Sequence, residues 1–81
     1  MTLLEVPEGA AAEVVAVRGQ AKLAERLRGF GVHVGRRVRL VRAAPFSGPL
    51  LLEDTASGAR FMIARSLAKH VEVQHDDVRV R

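Results

Sequence analysis

The sequence predicts a small, mainly β domain in which about five short strands close into a barrel and one short α-helix follows the first strand. Three observations support this prediction. Short segments rich in Val, Leu and Ile are separated by turns that contain glycine or proline. Only one longer segment has the helical spacing of apolar residues. The chain has 81 residues, enough for one domain, and so few short strands need closure to protect their edges.

The first strand is predicted over residues 12–18, where β-branched and small residues precede Gly19. Residues 20–30 then change to helical spacing, with Leu23, Leu27 and Phe30 at i, i+4 and i+7. Gly31 follows at the position where a left-handed cap commonly ends a helix. This pattern predicts one short amphipathic helix.

The second strand is predicted over residues 36–44, because Val38 and Leu40 alternate with arginines. The alternation slips at Val41 and Arg42, which indicates a bulge or a strong bend. Residues 45–49 form a turn bounded by two prolines, in which we expect Gly48 to supply the conformational freedom.

Residues 50–53 and 60–65 are predicted to be the third and fourth strands. In the fourth, Phe61 and Ile63 lie on one face and Met62 and Ala64 on the other, so both faces are apolar and a central position is expected. Residues 66–70 form a helical turn, and residues 71–73 close the sheet. The economical arrangement is an SH3-like barrel over residues 1–74, with residues 75–81 as a flexible tail. Six strand residues are assigned to its interior: Val15, Val17, Leu40, Phe61, Ile63 and Val71.

The composition argues against an enzyme. The chain is 48% hydrophobic, with three Phe, no Trp and no Tyr, which suits a small aliphatic core and not an aromatic-lined cavity. It has no Cys, and no apolar segment is long enough to span a bilayer. The N-terminus also lacks a signal-peptide pattern. We expect a cytoplasmic protein without a cofactor, whose small core a partner or self-association would supplement.

The residues that could perform chemistry are few and scattered. The three histidines are His33, His70 and His75, and only His75 has acidic neighbours, Asp76 and Asp77. A transition metal needs three or four converging donors, so no metal site is predicted. The glycines at 29, 31 and 35 follow a helix, whereas a dinucleotide fingerprint follows a strand, and no phosphate-binding loop is present.

Positive charge gives the candidate binding surface. The formal net charge is +4, and arginines concentrate on the second strand and the adjacent helix. This face is solvated, docks an acidic protein, or binds nucleic acid, for which exposed aromatic residues are lacking. Leu23, Leu27 and Phe46 either pack into the core or line a groove between the helix and the 45–49 turn. The candidate partner-binding residues are therefore Leu23, Arg26, Leu27, Arg28, Arg37, Arg39 and Phe46.

Two blocks of the sequence resemble the ferrous iron transport protein A family (FeoA). The first follows the family pattern of leucine, a hydrophobic-glycine step, a basic strand and Ala-Pro-x-Gly-x-Pro, at Leu27, Phe30, Gly31, Val32, Gly35, Ala44, Pro45, Gly48 and Pro49. The second, residues 64–73, is similar to the family's closing pattern. The sequence departs from the commonest pattern at Phe30, Val34 and the Ser47-Gly48 pair.

The resemblance implies an SH3-like barrel and a non-enzymatic accessory role in ferrous iron uptake. The implied partner is the cytosolic GTP-binding domain of a membrane ferrous iron transporter (FeoB). Two alternatives stay open. A similar SH3-like domain ends metal-dependent transcriptional repressors, and small barrels of the ribosomal type bind RNA. Neither nucleic acid nor a resident metal is expected for this chain.

Overall fold

The computed structural model describes residues 1–75, which form five strands, two helices and a 3₁₀ helix. Each predicted element is present, with ends within two residues of those expected. In chain order they are the 3₁₀ helix Leu3–Glu5, β1 Ala11–Val17, α1 Ala21–Gly29, β2 Arg37–Ala43, β3 Leu50–Asp54, β4 Arg60–Ile63, α2 Arg65–Ala68 and β5 Val71–His75. His75 thus ends β5, whereas the rest of the predicted tail lies outside the described residues.

The five strands form one antiparallel sheet in the order β4-β3-β2-β1-β5. Within residues 1–75 the sheet does not close on itself, so the predicted closed barrel is an open sheet with β4 and β5 at its edges. The N-terminal segment covers β5, because the Val73 amide donates to the Met1 carbonyl at 2.7 Å and Thr2 bridges to Glu72. The prediction that the fourth strand is central is wrong, since β4 is the first strand in the sheet order, and Met62 on its outer face is 56% exposed.

Two irregularities bend the sheet. The β2–β3 register shifts between Leu40 and Arg42, which confirms the slip predicted from the sequence. A second shift, between Val14 and Ala16 in the β1–β5 pairing, was not predicted. It changes which residues face inward: Val14 is buried, Val15 is 40% exposed, and Val17 lies half-buried opposite Val71. The assignment of Val15 to the interior is therefore wrong, because alternation does not continue through a bulge.

The core is aliphatic and includes residues from all five strands. Of the predicted interior residues, Leu40, Ile63 and Val71 are buried, while Val17 and Phe61 are half-buried against the core. Leu3 and Val6 in the N-terminal segment and Leu27 in α1 complete it. No helix among residues 1–75 has the length and apolar character needed to cross a membrane.

Gly31 ends α1 as its position predicted. Its φ is +91°, a conformation that glycine adopts without steric cost, and its amide donates to the Arg28 carbonyl at 2.9 Å. The next amide, Val32, donates to the Leu27 carbonyl at 2.9 Å. These bonds satisfy carbonyls at the end of the helix and direct the chain toward β2.

Candidate functional site: two separate docking surfaces

Helix α1 buries one side chain and presents charges on the opposite side. Leu27 is completely buried and Leu23 is half-buried against the core. Arg26 and Arg28 are exposed in the last turn, where positive charge is favourable at the negative end of the helix dipole. The structure therefore removes Leu27 from the candidate contact surface and leaves the two arginines on it.

A shallow cleft of about 240 Å³ lies beside α1. Its apolar walls come from the end of β1, from α1 and from the segment before β2. The polar groups at its edge are the guanidinium of Arg28 and the ring of His33, whose Nδ1 lies 3.2 Å from the Val34 carbonyl oxygen. The lining residues are Val17, Ala24, Arg28, Val32, His33 and Val34. Such a cleft can hold one apolar side chain with an acidic neighbour.

The basic outer face of β2 is partly neutralised. Arg39 lies 3.6 Å from Glu53 on β3 and donates to the Gly9 carbonyl at 3.0 Å. Glu53 also lies 3.8 Å from Arg60 on β4. Arg37 is exposed on the same face, and its carbonyl accepts from the Thr55 amide at 3.1 Å. Exposed ion pairs of this kind contribute about 0–1 kcal/mol each, so their main effect is to lower the local positive charge.

Phe46 lies at the tip of the β2–β3 hairpin and is 100% exposed. The sequence predicted that Gly48 supplies the conformational freedom of this turn, whereas the positive φ angles belong to Phe46 (59°) and Ser47 (60°). Gly48 is required for a different reason. A Cβ atom there would lie 2.8 Å from the Cβ of Ala44 and 3.1 Å from the Pro45 carbonyl oxygen, which is closer than side chains tolerate.

The seven candidate residues do not form one patch. The α1 cleft borders the start of β2, whereas Phe46 follows its end, and a strand of this length spans about 20 Å. None of residues 45–49 lines the cleft, so this cleft is distinct from the groove predicted between the helix and the turn. We call residues 45–49 the hairpin tip and the residues around the cleft the α1 surface.

The hairpin tip is held by Arg65, which is not among the site residues predicted from the sequence. Arg65 at the start of α2 donates from Nε to the Gly48 carbonyl at 2.8 Å and from a terminal nitrogen to the Ala44 carbonyl at 3.2 Å. A lone arginine before a predicted helical turn gives no sign of this contact, because it depends on how the hairpin packs beside α2.

Two acids have lowered pKa values. The backbone amide of Ala56 donates to Asp54, and the Arg36 guanidinium pairs with it, so the pKa of Asp54 lies below its ordinary value of 3.8 despite burial. The N-terminal ammonium and Arg18 bind Glu72 at 3.0 and 3.2 Å, and they lower the pKa of Glu72 below 4.5. Both acids join separate segments of the fold, and neither lines the α1 cleft.

Among residues 1–75, no three His, Cys, Asp or Glu side chains lie close enough to hold a metal ion. The acidic pair beside His75 lies outside the described residues. Phe30 is 45% exposed and stacks on half-buried Phe61, with ring centroids 6.4 Å apart.

The fold is that of a small SH3-like domain, and the α1 surface and the hairpin tip are its candidate contact surfaces. A family model described as the FeoA domain matches residues 1–75, so the chain belongs to the FeoA family, which is associated with ferrous iron transport. No curated protein matches the chain in sequence.

Solved structures agree with this assignment. A zinc complex of Stenotrophomonas maltophilia FeoA, a prokaryotic SH3-domain protein, is 36% identical over 91% of this chain and 89% of that one, with a TM-score of 0.73. The iron uptake regulatory protein FeoA is 25% identical over 93% and 95% of the two chains, with a TM-score of 0.82. ScaR with bound Cd²⁺ is 26% identical, with a TM-score of 0.79, but the match covers 91% of this chain and only 34% of ScaR.

Proposed function

We propose that this chain is a cytoplasmic, non-enzymatic accessory protein of ferrous iron uptake. It acts by binding and modulating the cytosolic GTP-binding domain of a membrane ferrous iron transporter (FeoB). The observation that carries the proposal is the FeoA-family match over residues 1–75. The Stenotrophomonas maltophilia relative has itself been put forward as a ferrous iron transport activating factor.

The surface supports action by contact. The α1 cleft of about 240 Å³ is smaller than a typical ligand pocket, and it is edged by Arg28. Arg26 is exposed on the same helix, while Arg37 and Arg39 extend the positive charge onto the outer face of β2. Half-buried Leu23 has only part of its side chain available to a partner. An acidic partner surface is complementary to this arrangement.

Charge reversal on α1 tests the proposal. Arg26→Glu with Arg28→Glu is a cleaner change than reversal of Arg39, because a glutamate at 39 would face Glu53. The double variant is expected to slow association with the transporter's GTP-binding domain and to weaken the salt dependence of the association rate. Lys69→Glu, at the end of α2, is the control for a change of charge elsewhere. Equal association rates for the wild type and the double variant would contradict an electrostatic role for α1.

The similarity to ScaR favours a second candidate. In this second candidate function, the chain is a stand-alone relative of the SH3-like domain of metal-dependent regulators. Its partner is then a regulator instead of a transporter. The genes beside its own distinguish the two, because a large GTPase permease supports the first candidate. Phe46 and Phe30 are exposed, so the prediction that exposed aromatic residues are lacking is wrong. We therefore include RNA as a competitor in the binding experiment and expect no competition.

A further inference from the structure

Phe46 is the most exposed large apolar residue of the described chain, and its own domain gives it no packing partner. Its side chain is 100% exposed, whereas the next most exposed apolar side chains, Val34 and Met62, retain partial cover. A single exposed apolar residue is ordinary on a protein surface. A wholly exposed phenylalanine in a strained backbone is not ordinary, so the backbone beneath it is informative.

The backbone of the hairpin tip has the φ pattern of a type I′ turn. Phe46 and Ser47 have φ of 59° and 60°, and the Gly48 amide donates to the Pro45 carbonyl at 3.1 Å. This turn matches the twist of a two-residue hairpin, which explains the geometry. The twist of the hairpin does not explain why Phe46 and Ser47 occupy the two central positions, because Asn-Gly adopts the same conformation more easily than Phe-Ser. Stability of the fold therefore does not account for the phenylalanine.

The hairpin tip is ordered by contacts on both sides. The Ala44 amide donates to the Pro49 carbonyl at 3.0 Å, which closes the base of the turn. Arg65 bonds two further carbonyls from α2, at Gly48 and Ala44. Phe46 thus projects from a fixed backbone, and a partner that binds it does not need to order the loop first.

We propose that the hairpin tip is a preformed docking element whose Phe46 side chain inserts into an apolar pocket of the transporter's cytosolic GTP-binding domain, with Arg65 as the residue that positions it. The proposal rests on the proposed function and specifies a second contact, separate from the α1 surface. The pocket is expected to be bordered by acidic side chains. Arg42, close to the end of β2, is exposed and makes no ion pair within residues 1–75. Nearby Glu8 accepts from the Ala43 amide at 2.9 Å.

A protein pocket suits this element better than a lipid surface. One phenyl ring is much smaller than an acyl chain, and even a single myristoyl chain gives only marginal membrane binding. A side chain that projects alone can instead fill a pocket completely, which is how aromatic anchors contribute most at protein interfaces. The convex shape of the tip and the charge of Arg42 are therefore matched by a concave, acidic site on a protein.

The test compares five variants of the full chain for binding to a purified cytosolic GTP-binding domain of FeoB, the fifth variant being Phe46→Ala combined with Arg65→Gln. Phe46→Ala removes the ring, and Phe46→Asn with Ser47→Gly replaces the strained pair by residues that favour the turn. Met62→Ala is the matched control, because it truncates another exposed apolar side chain. Arg65→Gln removes part of the support under the tip. Thermal unfolding of each variant is measured in parallel.

Both Phe46 variants are expected to bind about 10- to 100-fold more weakly, through faster dissociation. The Asn-Gly variant is expected to unfold at the same temperature as the wild type or higher, and Met62→Ala to bind normally. Arg65→Gln should speed dissociation in the wild type but have no further effect in the Phe46→Ala background, as expected for a residue that acts through Phe46.

Unchanged dissociation of the Phe46 variants, when the wild type binds, would overturn this inference and leave the proposed function intact. Failure of the wild type itself to bind would instead count against the proposed function. Two further results would also overturn the inference. In one, the wild type co-sediments with phosphatidylcholine–phosphatidylglycerol vesicles and Phe46→Ala abolishes this binding. In the other, the wild type is a dimer and Phe46→Ala makes it a monomer.

Discussion

Asp54 joins two turns of the fold through one carboxylate. Its Oδ1 accepts from the Ala56 amide at 2.9 Å in the β3–β4 turn, and its other oxygen pairs with Arg36 just before β2. These contacts favour the charged form and lower the pKa of Asp54 in the folded state. Ionised Asp54 therefore stabilises the fold at pH values above its ordinary pKa, and this contribution decreases as the pH falls through the lowered folded-state pKa.

We predict that the free energy of unfolding falls as the pH is lowered below about 4, and that Asp54→Asn reduces this fall. At neutral pH the variant is expected to be less stable than the wild type, because the neutral amide loses the ion pair with Arg36. Glu72 also has a lowered pKa, so part of the acid sensitivity should remain. Urea unfolding between about pH 3 and 7 is the measurement. Parallel stability curves for the two proteins would show that Asp54 does not contribute.

Neighbouring residues of β4 allow a test of the core. Ile63 is buried and Met62 is exposed, although they are adjacent in one strand. Ile63→Ala is expected to lower the free energy of unfolding by about 2–5 kcal/mol. Met62→Ala should change it by about 0.5 kcal/mol or less. Equal losses in chemical denaturation would mean that the outer face of β4 is covered, in conflict with the observed exposure of Met62.

The β2–β3 hairpin is the element in which close packing and backbone strain occur together. Its positive φ angles fall on Phe46 and Ser47, while Gly48 packs against Ala44 without room for a Cβ. Left-handed conformations cost about 1–2 kcal/mol per non-glycine residue. The backbone of the hairpin is therefore strained, and its hydrogen bonds with Arg65 help to offset the energetic cost of that strain.

Gly48→Ala is expected to destabilise the protein by about 1–3 kcal/mol, because the added methyl group must displace Ala44 or the Pro45 carbonyl. Gly29→Ala is the matched control. A Cβ at Gly29 meets no atom within 4 Å, and alanine there should be neutral or stabilising by up to about 1 kcal/mol. Thermal unfolding measures both. A stable Gly48→Ala variant with unchanged amide chemical shifts in the hairpin tip would contradict the packing described.

The elements could be predicted from local sequence pattern. The order of the strands, and the residues of each strand that face the core, could not. Glycine and proline positions predicted the turns, and Val41 with Arg42 revealed the β2 bulge. The β1 bulge was invisible, because Val14, Val15 and Val17 are equally apolar and only the pairing with β5 selects which faces inward. Likewise Met62 suggested a central strand, whereas strand order depends on long-range pairing that a local window does not contain.

At the scale of the whole molecule, the candidate contacts lie at the two ends of β2. The sequence predicted a basic face on the helix and the second strand and, separately, either a core position or a groove for Leu23, Leu27 and Phe46. The structure separates Phe46 from the arginines of α1, buries Leu27, and pairs Arg39 with Glu53. Local spacing could not show these outcomes, since they depend on the course of the chain. The two surfaces are expected to contribute differently, with charge affecting association and Phe46 affecting dissociation.

Direct titration of the full chain with the transporter's isolated cytosolic GTP-binding domain is the measurement closest to the central claim. Calorimetry should show saturable binding that weakens as salt is raised, because the positive α1 surface contributes. The absence of binding at about 100 μM of each protein, equivalent to an affinity weaker than about 5.5 kcal/mol, would contradict the claim that this chain acts by contact with that domain.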